Sequence, residues 1–480
     1  MTMKKYISFI VIACLSLSVL SCDSWLDVKP KQMVDEEDFF SREDGFKEAL
    51  TGIYITLAKD NLYGQRLTYD FLDIIAQRYD PVTYGTGEHP YQQVELYDFT
   101  NTSTVNSARV GHIWDNMYTV IANINNMLGW IDKKQSVFVT ENYYEIIKGE
   151  GLALRAFVHF DLLRMFGPIY KENPTGKSII YRTEFNRDIK DLVPANEMLG
   201  YIISDLEAAE ELLEGRDPLA FDENEPNYYG FLVGRQNRMN LMAVKAMLAR
   251  VYLYRGSAED KAKALAYATE VIQSGKFTLA KNNAKKLLPS EQIFGLYIIK
   301  FDERTGDDFE DQLDRSSVNI DWYISNRAFW QNIANLPEDT ETDWRMNDIT
   351  GFNTVSNGAA YVTQKFMGHG TATTMPVIRL AEMYYIVTEC EPDLDKAANY
   401  LNTVRISRAI TVVDLYSEAE RLRQLELEYR KEFYGEGQVW YFYKRHFYST
   451  FVNNPVSRML QANYVFSIPE GEVAHGGVTE

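Results

Sequence analysis

The stretch Glu150–Tyr170, EGLALRAFVHFDLLRMFGPIY, decides how the rest of the chain is read. Leu152, Ala156, His159, Phe160 and Leu163 recur at the spacing of one face of an α-helix. Leu154, Val158, Leu162 and Met165 cover the opposite face. A helix that is apolar nearly all round is buried and touched from several sides, so this one is read as the hub of a mainly α-helical protein. Arg155, His159, Asp161 and Arg164 interrupt its apolar surface. Buried charges must be paired, and Asp161 and Arg164 stand three apart, so they are read as a structural ion pair rather than as catalytic groups. Gly167-Pro168 then ends the helix.

Upstream, Lys4 and Lys5 precede the uncharged run Ile7–Leu20 and then Ser21-Cys22. This is the layout of a secretory leader, too short to span a bilayer. Val19-Leu20-Ser21-Cys22 is similar to a lipobox, so residues 1–21 are read as a lipoprotein-type signal peptide and Cys22 as the acylated first residue of the mature chain. Of the three cysteines only Cys390 then remains as a thiol, which leaves no intrachain disulfide, and it is read as a small core residue. The formal charge of −19 lacks any basic cluster, which argues against nucleic acid and against polybasic membrane attraction. The chain holds 32 Tyr, 25 Phe and 7 Trp. Tyrosine in such numbers supplies amphipathic ligand contacts as well as core.

Downstream from the leader, Ser41 with Asp44 reads as a capping box opening a helix with Phe46, Leu50, Ile53 and Leu57 inward. Periodicity fades over Asp60–Asn106, a loop-rich stretch carrying Tyr63, Tyr69, Tyr79, Tyr84, Tyr91 and Tyr97. Trp114, Met117, Ile121 and Leu128 mark the helix before the hub, which is expected to start near Thr140. Another helix follows Pro194, with Ile202, Leu206 and Leu213 inward. Leu241–Val251 and a helix capped by Ser257 form a hairpin of tetratricopeptide length, and a related hairpin is expected over Pro376–Arg408. Leu248-Ala249 and Tyr252 match Leu380-Ala381 and Tyr384, and Asp260-Lys261-Ala262 matches Asp395-Lys396-Ala397. Between the two copies, Ile293-Phe294, Tyr297–Ile299 and Tyr361-Val362 read as short strands in an inserted lobe. A charged helix near the C-terminus buries Leu422, Leu425, Tyr429 and Phe433 and pairs Glu426 with Arg430. The expected divisions are residues 22–275, a variable lobe over 276–375, and a C-terminal helical part over 376–480.

No motif of metal or nucleophilic chemistry is present. The six histidines are scattered, and no Cys/His cluster or H-E-x-x-H occurs. Thr175-Gly176-Lys177-Ser178 ends like a P-loop, but Lys171 stands where the first glycine belongs. A glycosidase needs two opposed carboxylates, and the 68 acidic residues neither exclude such a pair nor single one out.

Several blocks, in order along nearly the whole chain, resemble the SusD/RagB family of outer-membrane nutrient-uptake lipoproteins. They are Cys22-Asp23-Ser24-Trp25-Leu26, Leu154–Phe157 with Asp161–Gly167, Ala249–Tyr254, Ile378–Glu382, Leu401-Asn402 with Arg405 and Arg408, Glu428 to Glu432 followed by Glu436-Gly437 and Trp440, and Ile468-Pro469. The resemblance implies tetratricopeptide-like helical hairpins in a superhelical scaffold, a loop-rich variable lobe, and a lipid anchor at the cell surface. It further implies a SusC-like, TonB-dependent β-barrel partner, for which the lipoprotein acts as a lid that captures oligosaccharide without cutting it. No cofactor is implied; a calcium ion ordering the acidic loops is neither supported nor excluded. Sugar sites need exposed aromatic platforms and a few polar partners. Tyr79, Tyr84, Tyr91, Trp322, Tyr323 and Trp330 are the expected platforms, with Asn101 and Asn326 as hydroxyl partners, while Trp114 and Trp440 are assigned to the core. Peptide or glycopeptide cargo, a surface hydrolase and a purely structural scaffold are the alternatives. If the leader is read correctly, Cys22→Ser abolishes metabolic labelling with palmitate and moves the protein from the membrane to the soluble fraction. An unchanged membrane fraction contradicts the lipid anchor.

Overall fold

The computed structural model describes residues 36–80, 94, 96–97, 99, 104–219, 230–284, 286–310, 324–334, 342–347, 351–355, 360–367 and 374–475. Cys22 and the leader lie outside them. Among the described residues no helix is long and apolar enough to cross a membrane.

Helix α1 (Glu43–Leu57) buries Phe46, Leu50, Ile53 and Leu57 as their spacing requires. The expected capping box is not made: Arg42 holds the capping position, and Ser41 donates instead to the Asp38 carbonyl in the preceding turn. Residues 60–80 are not a loose loop. They form tight turns and a short helix, Phe71–Ile75, with Leu62, Tyr63, Leu67 and Tyr69 all buried. Local hydrophobic period could not reveal this, because the segment is held by distant partners: the Tyr63 hydroxyl donates to Asp161 at 2.6 Å and that of Tyr69 to Asp308 at 2.8 Å.

Helix α2 (Thr104–Ile131) leads to the hub, α3 (Tyr143–Phe166), in which every residue from Ala153 onward is buried. Gly149 and Gly151 let its neighbours approach. A Cβ at Gly149 would lie 2.9 Å from Leu213 Cγ, and one at Gly151 would lie 2.8 Å from Met127 Cε. The buried polar residues of the hub are all engaged. Arg155 grips Asp205 with two bonds of 2.7 Å, and Arg164 donates to Asp161 at 2.5 Å while lying 3.6 Å over the Tyr441 ring. His159 donates from Nδ1 to the Arg155 carbonyl and accepts at Nε2 from the Arg182 amide. Glu150 is paired with Arg235 and accepts from Tyr54. At the C-terminal end, the buried Lys444 ammonium donates to the carbonyls of Met165 and Gly167, replacing the carbonyl partners that a helix end lacks.

From the hub, α4 (Ala195–Leu213), α5 (Leu241–Arg255) and α6 (Ala258–Gln273) follow, each packed on the one before. Ser257 and Asp260 form the expected capping box at the start of α6. The chain then enters strand β3 (Gln292–Tyr297) and returns, after the lobe, on β7 (Thr374–Arg379), antiparallel to β3 in a register running from Gln292↔Arg379 to Tyr297↔Thr374. These two strands are the neck of the lobe. Pro376 therefore lies in a strand, and the second hairpin begins at Leu380, as α8 (Leu380–Cys390) and α9 (Leu394–Ser407). Leu248-Ala249 fall in the middle of α5 whereas Leu380-Ala381 open α8, so the matched residues are out of step between the copies. Helix α8 nevertheless stacks on α6, and the helical scaffold continues as though the lobe were absent.

Helices α10 (Glu418–Glu432) and α11 (Gln438–His446) close the scaffold behind the neck. Leu425, Tyr429 and Phe433 point inward, and Arg430 approaches Glu426 at 3.9 Å. The charges of α10 are mostly buried as well. Glu432 accepts from Arg345 of the lobe at 2.7 Å, Arg379 of β7 at 2.6 Å and Arg408 after α9 at 2.9 Å. Glu428 accepts from Arg405 at 2.6 Å and Arg345 at 2.9 Å. Asp73, from the short helix, receives the amides of Gly435 and Gly437, which sit at positive φ.

Linkage follows from three of these groups. Burial depresses the His159 imidazole to about 3, so its stabilising contribution is whole above the ordinary histidine range and is lost as pH falls through it. Burial opposes ionisation of Glu428, but Lys431, Arg345 and Arg405 overcome it and hold the carboxyl down at about 2, which adds loss of stability below pH 4.5. Burial raises Asp73 to about 7, which acts in the opposite sense, weakening the fold as pH rises from 4 to 7. His159→Gln removes only the first effect. The stability difference between wild type and this variant, from urea unfolding, is expected to shrink steadily from pH 7 to pH 4; a pH-independent difference contradicts the buried neutral imidazole.

Candidate ligand-binding face

The lobe carries a three-stranded sheet in the order β4 (Ile324–Asn326), β6 (Ala360–Thr363), β5 (Phe352–Val355), and a helix, α7 (Arg327–Ala334), that follows β4 directly. Asn326 is the joint. Its side-chain oxygen accepts from the Phe329 amide at 3.0 Å, an N-cap arrangement, and its backbone and side-chain N–H groups each donate to Asp80 at 2.7 Å. Burial raises the Asp80 carboxyl above the usual range, and the two bonds from Asn326 offset part of that. The Asp80–Asn326 clasp thus joins the N-terminal region to the lobe across 246 residues of sequence.

Tyr79 and Trp330, near the clasp residues in sequence, belong to a connected series of ring contacts. Trp330 is parallel to Tyr361 at 4.2 Å and edge-on to Phe352 at 6.1 Å. Phe352 meets Tyr434 at 5.2 Å, and Tyr434 meets Tyr79 at 5.6 Å. The Tyr79 hydroxyl donates to the Tyr69 carbonyl. Beside α7 is a polar rim: Asn332 donates to the Asn453 side chain at 2.9 Å, and Asn453 donates to the Phe329 carbonyl at 3.3 Å. Asn326 and Asn332 are exposed.

Tyr79, Asn326 and Trp330, expected as site residues, are brought into this one neighbourhood. Their roles differ from those expected. Tyr79 and Trp330 are both 4% exposed, with ring faces taken up by neighbouring rings, so they build the base of the face rather than exposed platforms. Packing between elements, which sequence pattern does not report, puts them there. Tyr84, Tyr91, Asn101, Trp322 and Tyr323 lie outside the described residues. Asp80 immediately precedes the stretch that carries Tyr84 and Tyr91, and Asn326 stands three residues after Tyr323, so the clasp joins positions adjacent in sequence to both stretches. Asp80, Asn332, Asn453, Tyr361 and Tyr434 were not singled out by sequence reasoning; each gains its place from a partner far away in the chain. Trp114 and Trp440 are core residues, as assigned, and Cys390 is buried with its thiol pushed up to about 12.

The arrangement offers amide donors and acceptors over an aromatic base, a surface that hydrogen-bonds neutral polar groups. Acid–base cleavage of a glycosidic bond needs two opposed carboxylates, whereas the clasp carboxylate, Asp80, is already committed to Asn326. Among the described residues no group of three or more His, Cys, Asp or Glu side chains is placed to hold a metal ion. Lys177-Ser178 of the P-loop-like run lie in strand β1 (Lys177–Ile179), with Ser178 bonded to Val193 of strand β2 (Val193–Pro194), which removes that motif from consideration.

Two family models match in sequence. One, described as "Starch-binding associating with outer membrane", covers residues 24–253, and the SusD family model covers residues 214–469. The second spans more than half of the chain, and the protein belongs to the SusD/RagB family. Among curated relatives, SusD-like protein P38 of Formosa agariphila is 27% identical over 287 residues, 58% of this chain and 48% of the relative. SusD-like protein P25 of the same organism is 26% identical over 35% of this chain and 32% of its own length. The matches therefore span about half, or less, of those relatives. Among solved structures, a SusD superfamily protein from Bacteroides thetaiotaomicron aligns with a TM-score of 0.70 at 22% identity, over 91% of this chain and 98% of its own. A SusD-like carbohydrate binding protein from Bacteroides vulgatus gives 0.69 at 18% identity, over 91% and 97%. The fold is that of these proteins.

If the clasp is a real coupling, Asp80→Ala and Asn326→Ala each destabilise the protein, Asn326→Ala also losing the α7 cap, and the double variant loses less than the sum of the two. A double-mutant cycle by urea unfolding is expected to return a coupling of ~1 kcal/mol. A coupling near zero removes the clasp from the account.

Proposed function

We propose that this chain is a non-catalytic, cell-surface glycan-binding lipoprotein of the outer membrane. On this reading it captures oligosaccharide on the lobe side and delivers it to a SusC-like TonB-dependent β-barrel, over which it acts as a lid. The observation that supports the reading is the joining of Asp80 to the exposed Asn326, because the stretches bearing Tyr84, Tyr91, Trp322 and Tyr323 adjoin these two residues in sequence. Amide groups satisfy sugar hydroxyls, and aromatic rings lie against the C–H faces of pyranoses. The family description and the carbohydrate-binding neighbour support the same class of ligand. Tyr84, Tyr91, Trp322 and Tyr323 are the proposed platforms, with Asn101 and Asn326 as hydroxyl partners and lipidation at Cys22. The helical scaffold is the proposed barrel-side surface.

Capture calls for hydrogen bonds and stacking rather than for bond cleavage, which is why no acid–base pair is assigned. Affinity electrophoresis against a polysaccharide panel tests the reading. At least one glycan is expected to retard the wild type, and Trp322→Ala to weaken its binding by about tenfold or more, the worth of one stacked ring. Binding only to a peptide library would transfer the same lid role to peptide cargo, and release of labelled product by the purified protein would contradict the non-catalytic assignment.

A further inference from the structure

Two phenols stand without partners where the hub meets the C-terminal helices. Tyr254, in the last turn of α5, sets its ring edge-on to Phe160 of the hub at 5.3 Å and against Tyr170 at 5.9 Å. Tyr441, in α11, has its ring covered by the Arg164 guanidinium at 3.6 Å. Both residues are more than nine-tenths buried, at 7% and 4% exposure. Packing fixes both rings, yet neither hydroxyl has a hydrogen-bond partner among the described residues. Burial raises both phenols above the ordinary tyrosine value, so each keeps its proton. A buried hydroxyl in this position has given up its bonds to solvent for nothing unless a small molecule reaches it.

The room for one is present. Tyr254 and Tyr441 line the same small cavity between α3, α5, α8, α10 and α11, which leaves about 30 Å³ for the centre of a water molecule to move in. Holding a water takes about 10–15 Å³ of such room and two to four polar partners. Arg250 supplies a third partner. It lines the cavity too, and its Nη1 donates only to Met247 Sδ at 3.7 Å, a weak acceptor. Each guanidinium around the cavity already faces a carboxylate: Arg164 pairs with Asp161, Arg250 with Glu382 and Arg445 with Glu389. Three neutral pairs give an ion no reason to enter. A neutral molecule that both donates and accepts can meet every open group.

We propose that this cavity is a water-binding site, in which one ordered molecule accepts from Arg250 Nη1 and bridges the hydroxyls of Tyr254 and Tyr441. The bridge joins α5, which precedes the lobe in the chain, to α11, which follows it, beside the Arg164 guanidinium of the hub. It adds a neutral joint to the ionic ones between the two helical regions. The site does not depend on the proposed function or its cargo.

Tyr254→Phe and Tyr441→Phe, singly and together, test the site by urea unfolding, since phenylalanine keeps the ring and its packing. A high-resolution crystal structure of the wild type reads the water directly. Each single variant is expected to lower the folding equilibrium constant about fivefold, the worth of one buried hydrogen bond. The double variant should fall short of the product of the two losses, because a water that has lost one partner is held more weakly by the others. Without a bridging molecule the sign changes: deleting an unbonded buried hydroxyl leaves stability unchanged or raises it. That result at either position overturns the bridge. So does electron density with no water within hydrogen-bond distance of both hydroxyls, or a halide in its place, identified by the anomalous signal of bromine after a bromide soak.

Discussion

Glu432 is the point at which separate parts of this protein meet. Its carboxylate accepts hydrogen bonds from an arginine of the lobe, one at the end of the neck and one after the second hairpin, which are Arg345, Arg379 and Arg408. Taking such charges out of water costs several kcal/mol per ion, and only close, multiply bonded geometry offsets that cost. The network is therefore intolerant of misplacement. A slip of the neck register by one residue would turn Arg379 to the other face of β7 and leave buried carboxylates uncompensated. The helical scaffold could stack without the network, but the lobe could not be held against it in one orientation.

The hub helix solves a different problem with the same means. Its apolar surface buries it among α2, α4 and α5, while Arg155, Asp161 and Glu150 each reach an element distant in the chain. The helix end is capped by a lysine nearly 280 residues downstream in sequence, at Lys444. The N-terminal and C-terminal helical regions are tied across the hub in this way, and they form one scaffold although the lobe separates them in sequence.

What the scaffold positions is the face made by Asp80, Asn326 and the ring stack. Scaffold and lobe contribute to that stack in turn, with Tyr79 and Tyr434 from one and Phe352, Trp330 and Tyr361 from the other. Rings that interlock across such a boundary fix the lobe's orientation better than its short strands can, because a small sheet contributes little stability by itself.

Helical period of apolar residues marked the hub, α1 and the hairpin of α5 and α6, and the helical or motif settings of Trp114, Trp440 and Cys390 marked them as core, since each depends on contacts that local sequence declares. The blocks that carried the family resemblance also named the right charges: Arg250, Arg379, Glu382, Arg405, Arg408, Glu428, Glu432 and Glu436 all stand in them. Which of these pair was not legible. Arg250 meets Glu382, and Arg405 meets Glu428, only because α5 lies against α8 and α9 ends near α10. Residues 60–80 read as open loop because Tyr63, Tyr69 and Asp73 are satisfied by groups more than 90 residues away. Tyr79 and Trp330 read as platforms because an aromatic residue beside a loop looks the same in sequence whether its face meets solvent or another ring. Periodicity is a local property and is written in the chain; pairing of buried charges and stacking of rings are properties of distance, and the fold alone sets distances.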